Sequence, residues 1–138
     1  MPRYRSIDHT ADLGAFIYGE TPEAIFVNAA YAMTAMMLDR PPQHADRRDI
    51  INLEAMDRPA LLVEFLNELL YRFQVKGLAP VDVRISRLAD TKIKADVGLA
   101  LFDADRHGLK TEIKAATYHQ LEIIPRSHGF RARVIFDV

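Results

Sequence analysis

The stretch from Asp57 to Gly77, DRPALLVEFLNELLYRFQVKG, constrains the fold most, because the hydrophobic period of the chain changes after it. Leu61, Leu62, Phe65, Leu66, Leu69, Leu70 and Phe73 recur at helical spacing and trace one apolar stripe. Asp57 stands where a side-chain oxygen caps the first turn, and Gly77 stands where a left-handed residue ends the last. Beyond Gly77 the period drops to two. VDVRIS (81–86) alternates, and KIKADVGLAL (92–101) sets Ile93, Ala95, Val97, Leu99 and Leu101 on one face. TEIKAATYHQLEII (111–124) reads as a long strand and FRARVIFDV (130–138) as a final one, with RSHG (126–129) as the tight connection of a hairpin.

The first half is read the same way. LGAFIY (13–18) predicts a short strand. Thr21-Pro22-Glu23 predicts a helix start, and Ile25, Phe26, Ala29, Ala30, Met33, Met36 and Met37 carry that helix to about residue 38. The three methionines read as core fillers. DRPPQHADRR (39–48) is a connection, since Pro41-Pro42 fits neither a helix interior nor a central strand. RDIINLEA (48–55) is a strand with Ile51 and Leu53 on one face. The order is strand, helix, strand, helix, then four strands. It predicts an α+β two-layer sandwich, with two helices on one face of a mainly antiparallel or mixed sheet, as a single domain over 1–138.

Composition narrows the chemistry. The 138 residues include no cysteine, so disulfides, zinc–thiolate sites and a cysteine nucleophile are excluded. Apolar residues make up 49% and the formal net charge is −1, which argues against wrapping nucleic acid by bulk charge. A local basic patch is compatible with that balance, and Arg126, Arg131 and Arg133 are its candidates. The opening MPRYRSIDHT has no apolar run of signal-peptide type and no segment is long enough to span a bilayer, so the expected location is the cytoplasm.

Polar residues gather in four places. IDHTADLG (7–14) holds Asp8, His9 and Asp12, a set that also suits a plain turn. The chain closes on Asp137 and Val138, whose carboxylates repel unless a hard cation with oxygen ligands relieves them. If the N-terminal strand lies beside the C-terminal one, Asp12 supplies a third oxygen, suited to Ca²⁺ or Mg²⁺ over zinc or copper. In KAATYHQ (114–120), strict alternation puts Lys114, Ala116, Tyr118 and Gln120 on one face and His119 on the other. There Lys114 and Tyr118 suit a phosphate or a partner, and His119 is a candidate base or a packing residue. In DADRHG (103–108), Asp103, Asp105 and His107 suit a metal or, more simply, a turn. No P-loop, GxGxxG or GxSxG is present.

Taken together, DHTADLG (8–14), TPEAIFVNAAYAMTAMMLD (21–39), LLVEFLNELLYRF (61–73), EIKAATYH (112–119) and ARVIFDV (132–138) resemble, in order and spacing, the archease family over essentially the whole chain. The resemblance implies a non-enzymatic accessory protein of an RtcB-type RNA-splicing ligase, acting in tRNA splicing and RNA repair. In that role it promotes guanylylation and multiple turnover of the ligase, and meets RNA only through the ligase. It implies a divalent cation, Ca²⁺ with Mg²⁺ or Mn²⁺ as alternatives, held at Asp12, Asp137 and Val138. His9, His107, Lys114, Tyr118 and His119 fall at positions of support or partner contact. Three departures stand out: DVGLALF lacks the Gly-Glu pair of many relatives, Ala116 replaces the usual valine, and Val138 replaces isoleucine. The rival readings are a stand-alone metal-dependent phosphohydrolase and a general chaperone-like modulator of nucleic-acid-modifying proteins.

Overall fold

The computed structural model describes residues 2–8 and 12–138. Helix α1 (Pro22–Met37) starts as its sequence predicts: the Thr21 hydroxyl accepts from the Ala24 N–H at 3.1 Å, and Pro22 occupies the first turn. Helix α2 (Arg58–Lys76) is capped by Asp57, whose carboxylate accepts from the Ala60 N–H at 2.8 Å. Gly77 ends it in the left-handed region at φ 66°, its N–H donating to the Arg72 and Phe73 carbonyls. Both ends thus satisfy backbone groups that helix geometry leaves orphaned.

The strands are β1 (Tyr4–Asp8), β2 (Leu13–Gly19), β3 (Arg47–Glu54), β4 (Leu78–Leu88), β5 (Lys92–Leu101), β6 (Ala115–Arg126) and β7 (Gly129–Asp137), with a short helix α3 (Ala104–His107) after β5. The fold is α+β, but the strands form two antiparallel sheets where one was predicted: β1-β2-β7-β6 and β3-β5-β4. The helices explain the division. Helix α1 buries Ile25, Phe26, Ala29, Ala30, Ala32, Met33, Met36 and Met37, most of its circumference, and packs on β2 of one sheet and β4 of the other. Helix α2 likewise packs on β6 and on β4. Phe26 and Phe65 join the helices with ring centroids 6.0 Å apart. The core therefore lies around the helices, where both sheets reach it.

Three further differences from the sequence reading are local. Strand β1 was not foreseen, because YRSID buries little and lies at an edge. Residues 111–114 precede β6 and are not part of it. Leu101, read as facing the core with Ile93 to Leu99, is 65% exposed where β5 ends.

Gly98, in the segment where a Gly-Glu pair is missing, has a role in the second sheet. It sits on β5 between Arg48 of β3 and Asp82 of β4. Arg48 crosses over it to donate to Asp82 at 2.6 Å and to Asp96 at 2.7 Å. A Cβ at Gly98 would stand 2.5 Å from the Asp82 carboxylate and 2.7 Å from the Arg48 guanidinium. Hydrogen bonding to Arg48 holds the Asp82 carboxyl below the ordinary carboxylate range. Gly98→Ala is expected to lower Tm by breaking this bridge. A double-mutant cycle of Gly98→Ala with Arg48→Ala, read by thermal unfolding, should show losses that are less than additive. Strict additivity would mean that the glycine serves something else.

Candidate functional site

The register of the first sheet assembles the site. Strand β2 pairs antiparallel with β7, Leu13 opposite Phe136. Asp12 directly precedes Leu13 and Asp137 directly follows Phe136, so both residues lie at this end of the β2–β7 pair. On the other flank Ala115 of β6 pairs with Asp137, and the Lys114 N–H donates to the Asp137 carbonyl at 2.7 Å. The start of β2, the end of β7 and the approach to β6 thus meet at one end of the sheet. Asp12 is half-buried, while Lys114, Asp137 and Val138 are exposed. The condition set by the sequence reading, that the N-terminal strand lie beside the C-terminal one, holds for β2 and β7.

Side chains of α2 secure this end, and the sequence reading missed them. Ala116 is buried, and Asn67 takes both of its backbone groups: the Asn67 amide donates to the Ala116 carbonyl at 3.1 Å and its oxygen accepts the Ala116 N–H at 2.8 Å. Gln74 donates to the carbonyls of Ile113 and Lys114, both at 3.0 Å. Glu64 accepts from the Tyr118 hydroxyl at 2.5 Å. That hydrogen bond, aided by burial, pushes the Tyr118 phenol above its ordinary value. Strand β6 is the edge of its sheet, and these amides pair with backbone groups that no neighbouring strand takes. The signal was present, since residues 64, 67 and 74 lie along one side of a helix, beside the apolar stripe.

Strand β6 departs from strict alternation just past the site. Its register to β7 slips between Thr117 and Glu122, and Gln120 adopts φ 52°, unusual for a non-glycine residue. The Arg133 guanidinium donates to the Gln120 carbonyl at 2.9 Å and fixes the bulge. The alternation expected for Tyr118, His119 and Gln120 is therefore corrected: all three are exposed on the bulge. Tyr118 leans to α2 through Glu64, and the His119 N–H donates to the Thr117 hydroxyl at 3.3 Å.

The other candidates separate from this end. His107 is buried in α3, its Nδ1 accepting from the Asp103 N–H at 3.0 Å and its ring 5.9 Å from that of Phe102. Asp103 caps α3 by accepting from the N–H groups of Asp105 and Arg106. DADRHG is thus a capped turn. His9 lies outside the described residues. Among those described, no group of three His, Cys, Asp or Glu side chains gathers as a metal cluster. Among the described residues no helix is long and apolar enough to cross a membrane.

The fold defines a class: a small α+β protein of two antiparallel sheets around two helices, in which β2 begins beside the end of β7. The chain belongs to the archease protein family (MTH1598/TM1083), whose model matches residues 4–138. It is 36% identical over 140 residues to protein archease of Methanosarcina barkeri, covering 99% of this chain and 96% of that one. It is 36% identical over 128 residues to protein archease of Thermococcus gammatolerans, covering 89% of each. The solution structure of Methanobacterium thermoautotrophicum protein 1598 superposes with a TM-score of 0.74, at 32% identity over all of both chains. The crystal structure of an archease, described as a possible chaperone, from Thermotoga maritima shares the fold, with a TM-score of 0.66 at 22% identity.

Proposed function

We propose that this chain is an accessory protein, without an activity of its own, that activates an RtcB-type RNA-splicing ligase by promoting its guanylylation and turnover. The observation that supports the reading is the β2–β7 register, in which Leu13 pairs with Phe136, the sequence neighbours of Asp12 and Asp137. Two carboxylates with main-chain oxygen from Val138 form an all-oxygen donor set, which fits a hard divalent cation such as Ca²⁺, Mg²⁺ or Mn²⁺. When bound, such a cation supplies positive charge against the phosphates of the ligase's GTP. Asp12 and Asp137 hold the charge at the tip, and Asn67 and Gln74 keep the tip's backbone in place. Exposed Lys114, Tyr118 and His119 border the tip and suit contact with the ligase. The buried His107 serves the turn.

The test is single-turnover guanylylation of an RtcB-type ligase with limiting Mn²⁺ and GTP. Added protein should accelerate label transfer to the ligase, and an equal rate with and without it would overturn the reading.

A further inference from the structure

The outward face of the four-stranded sheet carries a second surface, running away from the acidic end. Register sets Arg5, Phe16, Arg133 and Glu122 in one row across β1, β2, β7 and β6, with Tyr18, Arg131 and Ile124 in the next. The arginines lie on the rings. The Arg131 guanidinium stands 4.4 Å and that of Arg5 4.9 Å from the Phe16 ring centroid, and that of Arg126 stands 5.6 Å from Tyr18. Glu122 faces Arg131 and Arg133, at 3.6 Å from each, and is the one carboxylate in these rows. Arg5 and Arg126 are exposed and make no ion pair among the described residues. A chain of net charge −1 thus concentrates four arginines against one glutamate on one sheet face.

We propose that this face binds single-stranded RNA directly, by stacking bases on Tyr18 and on the guanidinium planes that Phe16 supports, while arginines meet the phosphates. The chemistry favours RNA over the other anionic partners. A sheet face with interleaved rings and guanidinium planes offers stacking surface to unpaired bases, which a duplex keeps hidden. The cations here are all arginine, whose planar fork stacks and meets phosphate in two-point fashion, where lysine is only a point charge. An anionic membrane would call for an amphipathic helix or protruding apolar side chains, and this face is a sheet with half-buried rings. The inference stands apart from the ligase reading, which by itself brings RNA only through the ligase.

The experiment is fluorescence anisotropy of a labelled 12-nucleotide mixed-sequence RNA with the purified full chain. Ligase is left out and divalent cations are chelated, so the result is independent of the proposed cation site. Single-stranded RNA should bind more tightly than the same sequence in a duplex. With about three phosphates neutralised, log K should fall against log salt with a slope of about −2. Arg5→Glu with Arg126→Glu, two exposed changes, should weaken binding at least tenfold and flatten the slope. Phe16→Leu should weaken binding several-fold and leave the slope alone, because stacking is not ionic. Absence of binding at low salt, equal affinity for the duplex, or an unchanged double variant would each overturn the proposal. So would capture by phosphatidylserine vesicles with no RNA binding.

Discussion

Asp137→Asn should abolish the acceleration of ligase guanylylation, and Asp12→Asn should do the same. Each substitution keeps the size of the side chain and replaces one charged oxygen by a neutral NH2, removing one negative charge. For a hard cation in an all-oxygen site, affinity follows ligand charge closely. Losing one carboxylate from a set this small should weaken Ca²⁺ binding by at least about tenfold. Asp137 is exposed, so the variant should unfold within about 0.5 kcal/mol of the parent. That separation makes the result interpretable: stimulation lost at unchanged Tm locates the effect at the carboxylates. Full stimulation by either variant would mean that activation needs no cation here, and the partner surface alone would have to explain it. Phosphoester turnover by the parent without ligase, absent from both variants, would favour the stand-alone hydrolase.

Both helices were legible in the sequence because the signals that make them are local. Thr21, Asp57 and Gly77 satisfy the ends of their own helices, and the apolar stripe needs no knowledge of what covers it. The division into two sheets was not legible, because period two says that a segment is a strand and nothing about its neighbour. The clue lay in α1, apolar around most of its circumference and so in need of cover on two sides. The bulge of β6 was hidden for a related reason: Gln120 turns to positive φ where Arg133, from another strand, takes its carbonyl. At the candidate site, Asp12 and Asp137 stand out in the sequence by their charge. Asn67 and Gln74 were missed because a polar stripe on a helix also describes a solvated face. Only the β6 edge beside it turns those amides into partners.

Asn67→Leu is expected to cost the most stability of any change near the site. The Asn67 side chain stands in for a missing strand, giving one donor and one acceptor to Ala116, which is only 4% exposed. Leucine fills similar space and offers neither, leaving a buried N–H and a buried carbonyl unpaired. Each such group costs about 1–3 kcal/mol, so a loss of about 2–6 kcal/mol is expected. In a domain of this size that corresponds to a fall in Tm of about 10 °C. Asn67→Asp should lie between, because a carboxylate still accepts the Ala116 N–H but cannot donate to its carbonyl. Ala115 pairs with Asp137, so loosening β6 should also weaken Ca²⁺ binding, with Asp12 and Asp137 both intact. Equal Tm for Asn67→Leu and the parent would show that water or a shift of β6 satisfies Ala116. A lower Tm with undiminished Ca²⁺ affinity would show that the carboxylates keep their places through the β2–β7 pairing alone.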